Sequence, residues 1–480
     1  MTRQPLLVIA VTLALTGCAG VRKDAPAEAA VQTPASWRES AVAAGPALPN
    51  DWWAAFGDPV LNALVEEGLA HSDDIAAAAM RVEQARAQFH LAQAQRLPNV
   101  RLTVEGGRDR DVNPGFGFPE QQTAHQELVE ASFDTDLFGR LRASSAAARS
   151  ALLASEDARD AIRLSVAASV ASGYLTLLAL DARLSVVEET LAVRRDELHV
   201  ERRRFDAGYS SQLELTQAEA EVAATEELIP STKLAIAREE NGLSELVGRS
   251  PGAIARGVEF ESLKLPDVPV ALPSTLLRAR PDLAAAEAKL AASDHSLDAA
   301  RAAFLPNIEL GATFGSTGST LVDVSPVTIW SIGASILAPL FDAGRLDAQQ
   351  DAATALRDEA AFAYRKAVLQ AFREVEDALT TVSHLAEEDA ALSRERDVLT
   401  HTLSIATKRY REGYSSHLDQ LDAQRNLLSV RLSLVQSRLS RLDATVKLCE
   451  ALGGGWTPEG ASDRIGEQPK HGNAASVASR

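Results

Sequence analysis

The sequence predicts a mainly α-helical chain that also carries membrane-type β-strands, laid out as two similar halves. Three observations carry this. Short motifs recur in the second half, segments of about ten residues alternate apolar with polar side chains, and two proline-free stretches of 64 residues (141–204 and 345–408) keep helical periodicity.

Composition sets the outer bounds. A length of 480 residues alone suggests about three domains. With 48 Lys+Arg against 66 Asp+Glu the net charge is −18, and no basic run is visible, which excludes nucleic acid as a partner. Hydrophobic residues at 46% suffice for a core, and aromatics at only 5% with abundant alanine favour long helices. No unbroken run of 18 apolar residues occurs, so a helical membrane transporter is excluded. Two cysteines exclude a disulfide scaffold and a cysteine-based zinc site.

The first residues decide the compartment. A basic start at Arg3, an apolar run from Leu6 to Leu15 and small residues up to Gly17 make a secretory signal over residues 1–17. Leu15-Thr16-Gly17-Cys18 resembles a bacterial lipobox. That motif implies cleavage before Cys18, with the thiol carrying diacylglycerol and the new amine acylated, an anchor of several acyl chains. Ala19 stands where an inner-membrane retention signal usually places Asp, which implies the outer membrane. Cys449 is left without a partner on an apolar helix stripe and is expected to be a buried structural thiol.

The mature chain is written twice. Arg96-Leu97-Pro98-Asn99-Val100 returns as Phe304-Leu305-Pro306-Asn307-Ile308, 208 residues later. Leu137-Phe138-Gly139-Arg140 is echoed by Leu340-Phe341-Asp342-Ala343-Gly344-Arg345. Arg204 to Ser211 is echoed by Arg409 to Ser416, and Arg140 to Gly208 spans the same 68 residues as Arg345 to Gly413. Duplication therefore replaces the three-domain expectation.

Each half reads helix, strand pair, very long helix, tight turn, second helix. Strands are expected at about 99–108 and 127–137, and at about 307–317 and 327–337. Val100, Leu102 and Val104 alternate with Arg101, Thr103 and Glu105, and Trp330, Ile332, Ala334 and Ile336 with Ser331, Gly333 and Ser335. Such segments suit strands of a membrane barrel, although a half-buried soluble sheet alternates in the same way. The loops Gly106–His125 and Gly315–Pro326 are expected to be exposed, and Gly115-Phe116-Gly117 is no phosphate motif because it lacks a strand-to-helix context. Four strands cannot close alone. A dimer would give eight strands, a trimer twelve and a tetramer sixteen, and alternation does not choose between twelve and sixteen.

The helices 141–247 and 345–452 carry heptad-spaced apolar residues. In the first, Val170, Gly173, Leu177, Leu180, Leu184, Val187, Leu191 and Leu198 hold the pattern, broken by polar Arg194. This predicts antiparallel coiled-coil pairs with a left-handed twist, and long helices of roughly 95–100 Å. Pro230 should kink its helix. In the turns, Gly208 and Gly413 suit left-handed helix ends. Ser211-x-x-Glu214 and Ser416-x-x-Asp419 read as capping boxes.

At this point the residues resemble a family, the TolC-type outer-membrane efflux factors of the lipoprotein branch. The resemblance runs from Trp52 to Trp456. It rests on Trp52-Trp53-x-x-Phe56-x-Asp58-Pro59-x-Leu61-x-x-Leu64, Arg280-Pro281-Asp282 with Glu287, Phe304-x-Pro306, Pro339-x-Phe341-x-x-Gly344-Arg345 and Gly453-Gly454-Gly455-Trp456. It implies a homotrimer with a twelve-stranded outer-membrane barrel and a periplasmic α-helical tunnel. It further implies a periplasmic adaptor protein docking on the tip at Gly208, Tyr209, Ser210, Gly413, Tyr414 and Ser415, and an inner-membrane pump of the RND type. By position, Asp419 and Asp422 become aperture carboxylates, which three copies would set in acidic rings that favour cations. Tyr410 becomes a gate tyrosine and Glu214 its acidic partner. The gate arginine of the family has no counterpart, because Ser415 stands there. A weaker latch held by helix packing is implied.

The implied organisation is a signal peptide at 1–17, a lipidated extended segment at 18–57 and a first repeat at 58–248. A linker at 249–273, a second repeat at 274–456 and a disordered tail at 457–480 complete it. The function implied is a passive outer-membrane exit duct for drugs or other small molecules. A duct for type I protein secretion and a periplasmic adaptor lipoprotein are the alternatives. An adaptor would show one helical hairpin flanked by lipoyl-like strands. No catalytic constellation, cofactor motif or metal spacing appears, so no enzyme is expected.

Overall fold

The computed structural model describes residues 24–38, 48–112, 119–269, 272–319 and 324–457. Cys18 and the signal segment lie outside them, as do the Gly115-Phe116-Gly117 segment and the tail beyond Thr457. Local signals set where the helices begin. Asp58 caps α1 (Pro59–His71), accepting from the Val60 and Leu61 amides at 2.7 and 3.3 Å, and Pro59 takes the first helical position. Then follow α2 (Asp73–Ala94), β1 (Asn99–Val112), β2 (Pro119–Asp134), α3 (Arg140–Asp206) and α4 (Gln212–Leu246). The second half repeats the order with α5 (Pro273–Ala279), α6 (Pro281–Ala302), β3 (Asn307–Ser319), β4 (Val324–Leu337), α7 (Arg345–Arg411) and α8 (His417–Ala451).

The four strands form one antiparallel sheet in the order β1-β2-β3-β4, leaving β1 and β4 as its edges. Its register sorts the side chains by face. Residues in line across the sheet share a face, and one face carries the rows Val100-Ala131-Ala312-Ile332, Leu102-Val129-Phe314-Trp330 and Phe133-Leu310-Ala334. The other carries Arg101-Glu130-Thr313-Ser331 and Ser132-Gly311-Gly333, with Leu128, Ile329 and Leu337 among its apolar exceptions. The apolar band from Ile308 to Phe314 is about 20 Å along the strand and ends on Phe314 and Trp330, both exposed. An apolar exterior closed by aromatics, opposite a polar interior, is the pattern of an outer-membrane barrel wall.

The strands run further than the alternation predicted, to Val112 and Ser319, with β2 and β4 starting at Pro119 and Val324. Much of the two expected loops is therefore ladder. Beyond Glu105 and Glu127 the side chains no longer sort into apolar and polar faces, but the backbone ladder continues, as Gly106↔His125 and Arg108↔Thr123 show. Hydrophobic alternation detects a buried or lipid-facing strip, not hydrogen bonding.

The two long helices have 67 residues each, about 100 Å at 1.5 Å per residue. α3 contains an 18-residue window apolar enough in composition to cross a bilayer, although no unbroken apolar run occurs. More than half of that window is buried in the protein, where Val170, Tyr174, Leu175 and Leu177 serve as core. α4 is assigned helical through Pro230. Ion pairs Glu188–Lys233, Arg195–Glu226 and Arg202–Glu219 join α3 to α4, one residue number rising as the other falls, so the two are antiparallel. Glu189–Arg431 and Ser172–Asp443 join α3 to α8 in the same sense.

Two compact units emerge, each drawing on both repeats. One contains the sheet with residues 80–156 and 285–367; the other contains residues 32–79, 157–284 and the chain from 368 onward. In the second unit the motifs from the two chain ends meet. Trp52, Trp53 and Phe56 are buried edge-to-face, Gly454 lies against Trp52, and the Trp456 indole donates to Asp160 at 3.0 Å. Arg280 bridges Asp282 at 2.8 Å, Glu374 at 2.7 Å and the Ala451 carbonyl at 2.9 Å. Cys449 is buried, and burial pushes its thiol up to about 12, as suits a structural thiol.

Candidate functional site

The two helix-to-helix turns share one construction. In the first, Gly208 takes φ of 79° while the Gly208 amide donates to the Phe205 carbonyl and the Tyr209 amide to that of Arg204, at 2.9 and 2.8 Å. In the second, Gly413 takes φ of 81°, and the Gly413 and Tyr414 amides donate to Tyr410 and Arg409 at 3.0 and 2.8 Å. These are left-handed helix ends, which L side chains resist. Nothing lies within 4 Å of a Cβ built on either glycine, so conformation and not space requires them. The turns leave Tyr209 and Tyr414 outermost, 81% and 73% exposed.

Each turn opens its next helix with the capping interaction the spacing predicted. The Glu214 amide donates to the Ser211 hydroxyl at 3.2 Å, and the Ser211 amide donates to the Glu214 carboxylate at 2.7 Å. The Ser416 amide donates to Asp419 at 3.2 Å. The amide of Ser211, with the Ser210 and Ser211 hydroxyls, holds the Glu214 carboxyl below the usual carboxylate range.

Tyr410 is buried behind the second turn, with the Arg204 guanidinium 4.8 Å above its ring and the buried His417 ring 5.0 Å away. The acid that acts on it most strongly is Glu201, itself buried and accepting from Ser210 Oγ at 3.1 Å. Ser210 also reaches Glu214 at 2.8 Å, so one hydroxyl stands between the two carboxylates. Burial, then Glu201, pushes the Tyr410 phenol up and keeps it protonated. The buried Ser415 hydroxyl has no hydrogen-bond partner among the described residues.

Asp419 and Asp422 are both exposed on α8. Asp422 is 3.4 Å from Arg425, one turn on. Arg425 in turn donates to Glu221 of α4 at 2.7 Å, and Glu221 also holds the buried Arg194 of α3 at 3.0 Å. Arg194 further donates to the Glu221 carbonyl at 3.1 Å and to Thr225. Burial lowers its affinity for the proton, and Arg425 adds to this, although Glu221 opposes both. Asp419 thus belongs to a helix cap and Asp422 to a chain of charges joining α3, α4 and α8. Sequence reasoning missed Arg204, Glu201, His417, Glu221 and Arg425. The one available signal was Arg194, a charge on an apolar heptad stripe, which requires a buried counter-charge. No group of three His, Cys, Asp or Glu poised for a metal occurs among the described residues.

The sequence and the fold have known counterparts. The sequence profile described as outer membrane efflux protein matches residues 64–249 and 272–454. The pyoverdine export outer membrane protein OpmQ of Pseudomonas putida is 34% identical over 461 residues, covering 94% of this chain and 97% of that one. The toluene efflux pump outer membrane protein TtgC of Pseudomonas putida is 33% identical over 473 residues, covering 95% and 96%. Among solved structures, the outer-membrane channel OprN superposes with a TM-score of 0.82 at 26% identity, over 92% of this chain and 99% of that one. The chain belongs to the outer membrane efflux protein family.

Proposed function

We propose that this outer-membrane channel works as a homotrimer, the passive exit duct of a tripartite pump. It receives small molecules from an inner-membrane pump of the RND type through a periplasmic adaptor that docks on the Tyr209 and Tyr414 turns. The observation that carries the reading is the sorted sheet, apolar and aromatic on one face, polar on the other, with both edges unpaired. Such a sheet is unstable in lipid until copies of itself close it. The relatives' names specify pyoverdine and toluene, chemically unlike cargoes, which fits a lumen that does not select and leaves selection to the pump.

At the tip, Asp419 and Asp422 form the aperture, and three copies multiply their charge. Arg204 packed on Tyr410, with Glu201, supplies a cation at the latch where Ser415 supplies none. Anchoring through Cys18 is supported by the Leu15-Thr16-Gly17-Cys18 lipobox. The Asp24 carbonyl accepts from Arg357 at 3.3 Å, and α7 covers about 18 Å between Arg345 and Arg357.

The test is genetic and chemical. Cells lacking the chain should accumulate the pump's small-molecule cargo, and the chain supplied in trans should restore export. Export that is undiminished without it contradicts the reading.

A further inference from the structure

Beyond the lipid-facing band the sheet sorts charge by face. All the helices join it at one end, since α2 leads into β1, β2 into α3, α6 into β3 and β4 into α7. The opposite strand ends, at Val112 and Pro119 and at Ser319 and Val324, therefore lie on the side away from the periplasmic helices, toward the outer leaflet.

On β1 the run of apolar residues on the outer face ends at exposed Val104, and Glu105-Gly106-Gly107-Arg108-Asp109-Arg110-Asp111 follows. Successive strand residues take opposite faces. Arg108 and Arg110 thus continue the outer face of Leu102 and Val104, and the acidic positions 105, 109 and 111 fall on the lumen side. The register carries this across the hairpin. Acidic position 120 pairs with 111 on the lumen side, whereas His125 pairs with Gly106 and Thr123 with Arg108 on the outer side. A Cβ on Gly318, the next position in the row of His125, would collide with the His125 imidazole, so that ring lies across the outer face. Arg108, Arg110 and His125 are exposed. Glu127, level with Val104, is the one acid among the described positions of this face. In a chain of net charge −18, the hairpin turns its cations outward and its other acids inward.

Height narrows what those cations meet. Arg108 and Arg110 follow Val104 by four and six residues, which at about 3.4 Å per residue and a tilt of about 40° sets them roughly 10 and 16 Å above the hydrocarbon edge. A phospholipid headgroup layer is only about 5–7 Å deep. At that height the anions on offer are the phosphates on the sugars of a glycolipid.

We propose that the outer face of the β1–β2 hairpin, through Arg108 and Arg110, binds the phosphates of an anionic glycolipid, the lipopolysaccharide of the outer leaflet. The guanidinium fork matches phosphate oxygens in pairs, and the Thr123 hydroxyl stands across from Arg108 as a further donor. The acids on the lumen side repel the same ligand, which confines it to the outside of the barrel. The inference uses the barrel wall and not the pump, so it and the export assay fail separately.

The experiment uses the purified full chain in detergent, titrated with rough lipopolysaccharide that carries lipid A and a phosphorylated inner core, with bound molecules counted by native mass spectrometry. Arg108→Ser with Arg110→Ser should weaken binding about tenfold, as expected for two exposed contacts to phosphate. Glu105→Gln, on the lumen side, should leave it unchanged. Equal binding by the native and serine chains overturns the proposal. A gain with Glu105→Gln as large as the serine loss makes bulk charge the cause and also overturns it. Phosphatidylglycerol or inorganic phosphate binding as tightly as the lipopolysaccharide, with the same dependence on the arginines, overturns the choice of a glycolipid. If the serine pair does not fold, Arg110→Ser alone decides in its place, with a loss of about threefold expected and no loss overturning the proposal.

Discussion

Asp58 is fully buried, yet its carboxylate accepts from the Tyr174 hydroxyl at 2.9 Å, the Val258 amide at 3.1 Å and two amides of its own helix. Those donors offset the cost of burying the charge. Asp58→Ala would strand several of them and should destabilise by about 3 kcal/mol, while Tyr174→Phe should cost about 1 kcal/mol. Thermal unfolding in detergent followed by circular dichroism orders the two variants. A milder effect belongs to the tip. Ser211→Ala should weaken the first turn by about 1 kcal/mol. The Glu214 carboxyl sits below its ordinary value of 4.5. Its contribution is therefore present above the unfolded value and lost as pH falls through the folded one. Amide protection at the turn, corrected for the intrinsic exchange rate at each pH, should fall in acid in the native chain, and Glu214→Gln should remove that acid-sensitive part. The capping residues were legible because a cap is a local event, three residues long. The role of Asp58 was not, because Tyr174 and Val258 are brought to it only by tertiary folding.

Among the elements, α3 depends on one close approach. A Cβ on Gly173 would lie 2.9 Å from Leu243 Cδ2 and 3.1 Å from the Glu239 carboxylate, both ends of flexible side chains on α4. Gly173→Ala should be nearly neutral, because a helix gain of about 1 kcal/mol offsets a small displacement. Gly173→Leu should separate the helices and cost about 2–3 kcal/mol. A leucine variant as stable as alanine in the same melting assay would show that the contact is not tight. The charge chain Arg194–Glu221–Arg425–Asp422 gives a second element-level expectation. Glu221→Ala leaves Arg194 buried without its carboxylate and should cost about 3–5 kcal/mol, more than Asp422→Ala at the exposed end. The long helices, their antiparallel sense and the strand faces were all visible as periodicity. The helix partners were not, because Glu221 and Arg425 lie 204 positions apart and neither breaks its local pattern. The strand ends were misjudged for the complementary reason: from Gly106 outward backbone pairing persists where side-chain sorting has stopped.

At the scale of the whole molecule, the duplication is the feature from which most follows. It converts a 480-residue chain into two copies of one plan. The net charge of −18 excluded nucleic acid, and in the trimer proposed above part of it would fall at the exposed Asp419 and Asp422 of α8. The central claim is that copies of the chain enclose a water-filled passage through the outer membrane, with a cation-attracting entrance at Asp419 and Asp422 of α8. Single-channel conductance of the purified protein in planar lipid bilayers tests it most directly. The native protein should show small, cation-selective currents that divalent cations block from the tip side. Asp419→Ala with Asp422→Ala should conduct with that block weakened by at least about tenfold, a loss of about 1.4 kcal/mol of cation binding. Unchanged block in the double variant would contradict the aperture, and no conductance from either protein would contradict the duct.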